Sequence, residues 1–298
     1  MDILISILEQ GFIYGIMALG VYISYSILDF PDLSVDGTFP LGATICVTLS
    51  AAGVNPWLCL IIAFLAGCIA GSFTGFLNVG LKIKNLLCGI LTMTALYSIN
   101  YRIAGTATVF MSVDKPTVFS QVLQILPQSI SSYSKIIVLL FIMLLSKFLL
   151  DWYLRTKSGF LLRSVGDNEG LVSTLAQSPG KIKIIGLAIS NGLVTLAGAV
   201  NCQYTRQFSV AGGTGTVVMG LAAVIIGATL FKKLGFLRVT SGVLLGMIVY
   251  KACTYAALAS GLLPSDTNLV ITVLFIVTLL INRFVLDKNK KGTVKSNA

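Results

Sequence analysis

The sequence predicts an all-α protein: a polytopic transmembrane helical bundle of about nine helices, within a range of about 8–10. Three observations carry that prediction. Of the 298 residues, 56% are hydrophobic and only 11% charged, and the mean hydropathy is +0.92. A soluble domain carries about 25% charged residues. Apolar runs long enough to cross a bilayer recur along the chain. The basic residues gather in alternate gaps between those runs, as cytoplasmic loops do. Soluble enzyme, disordered tail and coiled coil are excluded, and no length is left for a soluble domain of normal size.

The first run, 3–28, has no basic segment ahead of it and carries Asp2 and Glu9, so it reads as a retained helix and not a cleaved leader. The runs 38–53, 57–81, 86–104, 135–154, 182–203, 215–231, 239–261 and 267–286 follow. The basic gaps hold Lys82 and Lys84, the segment Arg155 to Lys183, then Lys232, Lys233 and Arg238, and the tail with Lys288, Lys290, Lys291 and Lys295. Placing these inside puts 54–56, 105–134, 204–214 and 262–266 outside without conflict. The N-terminus is then outside and the C-terminus inside. Trp57 and Trp152 stand at run ends as interfacial anchors. Runs one to four and six to nine have opposite orientations about run five, an inverted 4+1+4 repeat. Residues 1–286 form one membrane domain, 155–183 a cytoplasmic segment within it, and 287–298 a basic cytoplasmic tail.

The net charge of +10 follows from that loop bias. No basic patch is interleaved with stacking aromatics, so nucleic acid is not a partner. The absence of histidine removes imidazole catalysis and imidazole metal ligation. Cys46, Cys59, Cys68, Cys88, Cys202 and Cys253 lie in or beside apolar runs and never as C-x-x-C, so they read as packing residues.

Two breaks interrupt the apolar pattern, one from Asp29 to Gly37 and one from Val210 to Gly215. Each precedes a short run rich in small residues. Short, Gly/Pro-interrupted segments at matching positions of two halves point to a substrate pathway between repeats. Pathway candidates are Asp29, Asp32, Ser34, Asp36, Thr38, Gly213, Thr214 and Lys251. Lys251 stands mid-run, where a charge costs roughly 2.5–3.5 kcal/mol. It is expected to pair with one of the three aspartates or with a substrate carboxylate; snorkelling or a structural pair is the plainer account. Lys147 and Asp151 are four apart and read as a local pair. Arg102 and Arg206 lie at outer ends. Asn191 and Asn201 read as interhelical contacts. Helical spacing from Val118 to Leu126 predicts a surface-lying helix in the outer segment.

The 155–183 segment is too polar to insert and too long for a turn. A two-to-three-turn helix is expected there, capped by Ser164 or Asp167 and ended by Pro179 and Gly180. Leu171 and Leu175 would form an apolar ridge on it.

Gly159, Arg163, Gly166, Asp167, Asn168 and Glu169, with Ala176, Lys181, Lys183, Ser190, Asn191, Gly192 and Ala197 to Ala199, resemble the cytoplasmic loop and following helix of ABC-importer permeases of the branched-chain amino-acid and monosaccharide group. The stretch Asp32 to Gly37 resembles an element of the sugar permeases, and in this form is closer to tryptophan/tyrosine-type permeases. Gln10, Gly11, Tyr14, Gly15 and Ala18 to Gly20 fit the group's first helix. The likeness spans nearly the whole chain; it departs in lacking the extra first helix of many sugar permeases. It implies a transport subunit of a bacterial cytoplasmic membrane that is not itself an enzyme. The implied partners are a cytoplasmic ATP-binding subunit, an external or periplasmic solute-binding protein, and a second permease as homo- or heterodimer. By the same resemblance, Gly166 to Gln177 form the coupling helix, and Arg163, Gly166, Asp167, Asn168, Glu169, Leu171 and Leu175 contact the ATPase. The solute implied is small and polar, an amino acid of aromatic or branched-chain type.

No G-x-x-x-x-G-K-[ST] occurs, so ATP and magnesium belong to the partner and this chain binds no cofactor. The alternative is an ion-gradient-driven secondary transporter, which would not need the 155–183 helix. An intramembrane enzyme is disfavoured, because no nucleophile and base share one membrane layer.

Overall fold

A computed structural model describes residues 2–125, 133–174, 176–230 and 238–259, with isolated positions between 269 and 280. Eleven α-helices form among them: α1 Asp2–Val21, α2 Val35–Ala51, α3 Pro56–Val79, α4 Asn85–Ala104, α5 Val118–Ile125, α6 Ser134–Tyr153, α7 Lys157–Asp167, α8 Glu169–Thr174, α9 Pro179–Thr205, α10 Thr216–Leu230 and α11 Val239–Ala259. Seven segments among the described residues are long and apolar enough to cross a membrane, and Val35–Ala51 is a shorter apolar helix. These eight coincide with the first eight runs. The ninth run, 267–286, and the basic tail lie outside the described residues except at those isolated positions.

The core is organised around α9, which packs along α1, α2 and α3. Its contact with α3 is close because Gly67, Gly71 and Gly75 recur every four residues on one face. A Cβ on any of them would collide with α9 at Asn191, Leu187 or Ile184. Small residues at helix spacing let backbones approach where no hydrophobic force drives association. Ser178 caps α9 through its hydroxyl to the Lys181 N–H, and Pro179 occupies the first turn, where a missing N–H costs nothing. Pro179 and Gly180 therefore open α9; they do not close the preceding helix as the sequence reading had it.

That preceding segment is also two helices instead of one. Thr156 caps α7 by accepting from the Gly159 N–H, so neither Ser164 nor Asp167 starts a helix. Chain direction changes at Asn168, which is extended, and α8 follows. Gly166 and Asp167 thus end α7 where they were expected to begin a helix.

The surface helix expected near Val118 is α5, with Val118 and Phe119 buried. Unforeseen is a short antiparallel pair next to it, β1 Thr108–Phe110 and β2 Gln207–Ser209, in register Thr108 with Ser209 and Phe110 with Gln207. Arg206, at the αL cap of α9, donates to the carbonyls of Ser112 at 2.9 Å and Val113 at 3.0 Å. The two segments between long helices are thereby pinned together at this end of the bundle.

Candidate functional site

Both breaks lead to one place, halfway along α9. The first begins as a π-helical turn, Tyr22–Ile27. Its wider ladder shows in the Leu28 N–H donating to the Ile23 carbonyl at 3.0 Å. Single π turns are common at functional sites. Asp29 then adopts a left-handed φ of 50° and Pro31 prevents helical continuation. After the reversal Asp32 accepts from the Ser34 N–H at 2.9 Å, and α2 starts. The helix therefore begins at Val35, three residues earlier than its apolar run.

Asn191, near the midpoint of the 27-residue α9, holds this reversal. Its Nδ2 donates to Asp32 Oδ2 at 2.8 Å. Its Oδ1 accepts from Ser34 Oγ at 3.1 Å and Thr38 Oγ1 at 2.9 Å. All four residues are buried. A buried carboxylate without donors is expensive, and Asn191 with the Ser34 amide supplies them.

The second break descends to the same level. After β2, a 3₁₀ turn Val210–Gly213 leads to α10. Asp36 caps that helix from across the fold. Its Oδ1 accepts from Thr216 Oγ1 at 2.8 Å and the Val217 N–H at 2.9 Å, and its Oδ2 from the Gly215 N–H at 3.1 Å. Pro40 has no N–H to offer the Asp36 carbonyl, and Gly213 lies directly against that carbonyl and the Pro40 ring.

Helices α2 and α10 thus start beside each other and run to opposite ends of the bundle. At 17 residues α2 spans about 25 Å, less than the roughly 30 Å of a hydrocarbon core, whereas α10 with the 3₁₀ turn before it belongs to a segment long enough to cross. The positive N-terminal end of each meets a carboxylate of the chain, Asp32 for α2 and Asp36 for α10. Asn100 in α4 adds a bond from Nδ2 to the Gly37 carbonyl at 3.0 Å, its own Oδ1 being buried without a partner.

Residues 3–286 match the family described as branched-chain amino acid transport system, permease component. The chain belongs to this family. The tyrosine transport system permease protein of Clostridioides difficile is 40% identical over 93% of this chain and 90% of its own. The inner membrane ABC transporter permease protein YjfF of Escherichia coli is 25% identical over 94% of this chain and 83% of its own. The ribose import permease protein RbsC of Haemophilus influenzae is 23% identical over 83% and 75%. No solved structure matches. The permease is a multi-pass membrane protein and a transport subunit by family.

Of the pathway candidates, Asp32, Ser34 and Thr38 converge on Asn191, and Asp36 and Gly213 on the start of α10. Asp29 is exposed on the reversal and Thr214 is exposed beside the 3₁₀ turn. Lys251 is elsewhere. It is 6% exposed, and its Nζ lies 3.6 Å from the centroid of the Tyr14 ring, which in turn stacks on Phe39 at 5.5 Å. The expected pairing of Lys251 with Asp29, Asp32 or Asp36 is not formed, because Asn191 takes the buried Asp32 and the α10 terminus takes the half-buried Asp36.

The α7 end of the bundle carries the other predicted group. Gly166 abuts the Ile27 carbonyl and Leu28, and a side chain there would clash with both. Arg163, Asp167 and Asn168 are exposed, and Asn168 Oδ1 accepts from the Gly170 N–H at 2.9 Å. Glu169 and Leu171 lie in α8 with side chains outside the described residues, as does all of Leu175; the apolar ridge falls with them. Val172, which the sequence reading passed over, is fully buried in that helix. The Lys147–Asp151 pair forms at 3.2 Å, but Asp151 also takes Arg238 at 2.9 Å and Thr240 Oγ1 at 2.7 Å. That carboxylate therefore joins α6 to α11.

Asn191 is the residue whose weight the sequence least reveals. One asparagine in an apolar run looks like any interhelical contact until residues 157 positions away are seen around it. Pro40 and Thr216 carried no signal of their own, and Tyr14 only its fit to the group's first helix.

Proposed function

We propose that this chain is the membrane-spanning subunit of a bacterial ABC importer that carries an amino acid of the aromatic class across the cytoplasmic membrane. The observation that carries the reading is the 40% identity to a tyrosine transport system permease over 93% of the chain. A separate ATP-binding subunit, a solute-binding protein and a second permease complete the assembly. In this reading the bundle has nine spans in a 4+1+4 inverted repeat, N-terminus outside and C-terminus inside.

The mechanism is alternating access. The ATPase engages Arg163, Gly166, Asp167, Asn168, Glu169, Leu171 and Leu175. Movement of α7 reaches the membrane through Gly166, which is seated on the Ile27 carbonyl. From there it passes along the π turn to Asp32 and Asn191. The two helices meeting at Asp36 are then displaced together, and Asp29, Ser34, Thr38, Gly213, Thr214 and Lys251 line the path beside them. Small irregular elements at a midplane junction are where transporters place such motion.

Purification in mild detergent from native membranes tests the assembly. A stoichiometric ATP-binding subunit, and tyrosine uptake into vesicles that requires ATP, are expected. A lone oligomer driven by a proton or sodium gradient would instead establish the secondary-transporter reading.

A further inference from the structure

A second polar site lies away from the midplane junction, where α6, α7, α11 and the π turn meet. A cavity of about 480 Å³ there is lined by Tyr22, Ser26, Asp151, Arg155, Arg163, Asp167, Arg238 and Thr240, with Ile27 and Val239. Its carboxylates do not neutralise its cations. Asp151 is already saturated by Lys147, Arg238 and Thr240. Asp167 stands exposed at the rim. Arg155 and Arg163 form no ion pair among the described residues. Counting Lys147 behind the wall, four cations face two carboxylates. Guanidinium forks match phosphate oxygens in a way that water-exposed ammonium groups do not. The hydroxyls of Tyr22 and Ser26 add donors at the same cavity, while that of Thr240 is spent on Asp151.

We infer that this cavity binds a phosphate-bearing anion between Arg155 and Arg163. Its position favours a lipid headgroup as the source. Asp151 and Arg155 bracket the end of α6, and Trp152 between them is 69% exposed, as an anchor at headgroup depth should be. Anionic headgroups of the cytoplasmic leaflet attract such cations. A phosphate held there bridges α6 and α7 beside Ile27, and so braces the surface on which Gly166 sits. The site is independent of which solute is carried; its placement in the inner leaflet rests on the orientation proposed above, and Arg163 at its rim is then shared between the phosphate and the ATPase surface.

The test uses the full chain, stripped of lipid in a neutral detergent. Its melting midpoint is followed while short-chain phosphatidylglycerol, short-chain phosphatidylcholine or sodium phosphate is titrated at constant ionic strength. Native mass spectrometry counts bound lipid. Saturable stabilisation by phosphatidylglycerol and not phosphatidylcholine is expected, with one lipid per chain. The Arg155→Gln/Arg163→Gln variant should need about tenfold more or greater. Among the described residues neither arginine has an ion-pair partner, so the variant's unliganded melting point should match the wild type. The Lys82→Gln/Lys84→Gln variant removes two exposed cations elsewhere and should bind as the wild type does. Stabilisation by sodium phosphate alone, lost in the arginine variant, supports the site with a soluble ligand as its source. No selective effect of either ligand overturns the proposal. So does an equal loss in the lysine variant, which would make the effect a property of net charge.

Discussion

Replacing Asp36 by alanine is the sharpest probe of how the two halves of the permease are joined. The change removes a carboxylate that accepts from two backbone N–H groups and one hydroxyl at the start of α10. Hydrogen bonds to a charged acceptor contribute about 1.5–3 kcal/mol each, and losing a helix N-cap alone costs about 0.5–2 kcal/mol. The three bonds share one acceptor and the residue is half-buried, so they do not add fully. About 3–5 kcal/mol of destabilisation is expected. Asp36→Asn is the informative companion. Its oxygen can keep Thr216 and Val217, while its amide would face the Gly215 N–H, donor against donor. About 1–3 kcal/mol is expected there. Reversible unfolding in mixed micelles, with denaturing detergent as the variable, reads both values, and uptake in vesicles is measured in parallel. An alanine variant within about 1 kcal/mol of wild type would refute the cap, because the Gly215 and Val217 N–H groups left unmatched at a helix start cannot be that cheap, even though the Thr216 hydroxyl keeps the Gly213 carbonyl at 2.9 Å. An asparagine variant worse than alanine would refute the assignment of which bonds matter.

Asn191→Leu keeps the branching of the side chain but strips Asp32 of its side-chain donor and removes the acceptor for Ser34 and Thr38; a loss of about 3 kcal/mol or more is expected by the same unfolding assay, and a loss below about 1 kcal/mol would remove its role as hub. Asp151→Ala leaves Lys147 and Arg238 without their shared carboxylate. Arg238 is 47% exposed, so water takes up part of the deficit, and about 1–3 kcal/mol is expected. Gly166→Val drives a branched side chain into the Ile27 carbonyl; the chain should fold, while transport falls at least about tenfold relative to ATP hydrolysis in the assembled importer. Coupling unaffected in that variant would disconnect α7 from the π turn. Lys251→Met should fold at least as stably, since a buried ammonium with one ring face is costly. Its uptake of tyrosine should fall about tenfold or more, and normal uptake would take Lys251 out of the pathway.

Hydropathy alone located the eight described apolar runs to within a few residues, because bilayer thickness imposes one length scale on all of them. Break positions were also visible, as Asp29 to Gly37 and Val210 to Gly215 are too polar or too flexible for hydrocarbon. That the breaks meet was not visible. Asp36 and Thr216 are 180 residues apart, and no periodicity reports a contact at that distance. Pro179 shows a second limit: a proline can end one helix or begin the next, and only the Ser178 hydroxyl on Lys181 decides between them. The paired strands near Val109 and Phe208 are three residues each, below what an alternation pattern can signal.

The cap that Asp36 places on α10 has a consequence for how the chain is made. When α2 leaves the ribosome, neither of its carboxylates has its partner. Asn191 is 159 residues downstream of Asp32, and Thr216 is 180 downstream of Asp36. At about 5–20 residues per second, that is a wait of roughly 10–40 s. During that interval a short helix led by two acids has no reason to lie at the depth it finally takes. Until α9 and α10 arrive, Asp32 lacks its Asn191 donor and Asp36 lacks the helix start it caps. The polar contacts of the first half are therefore completed by the second.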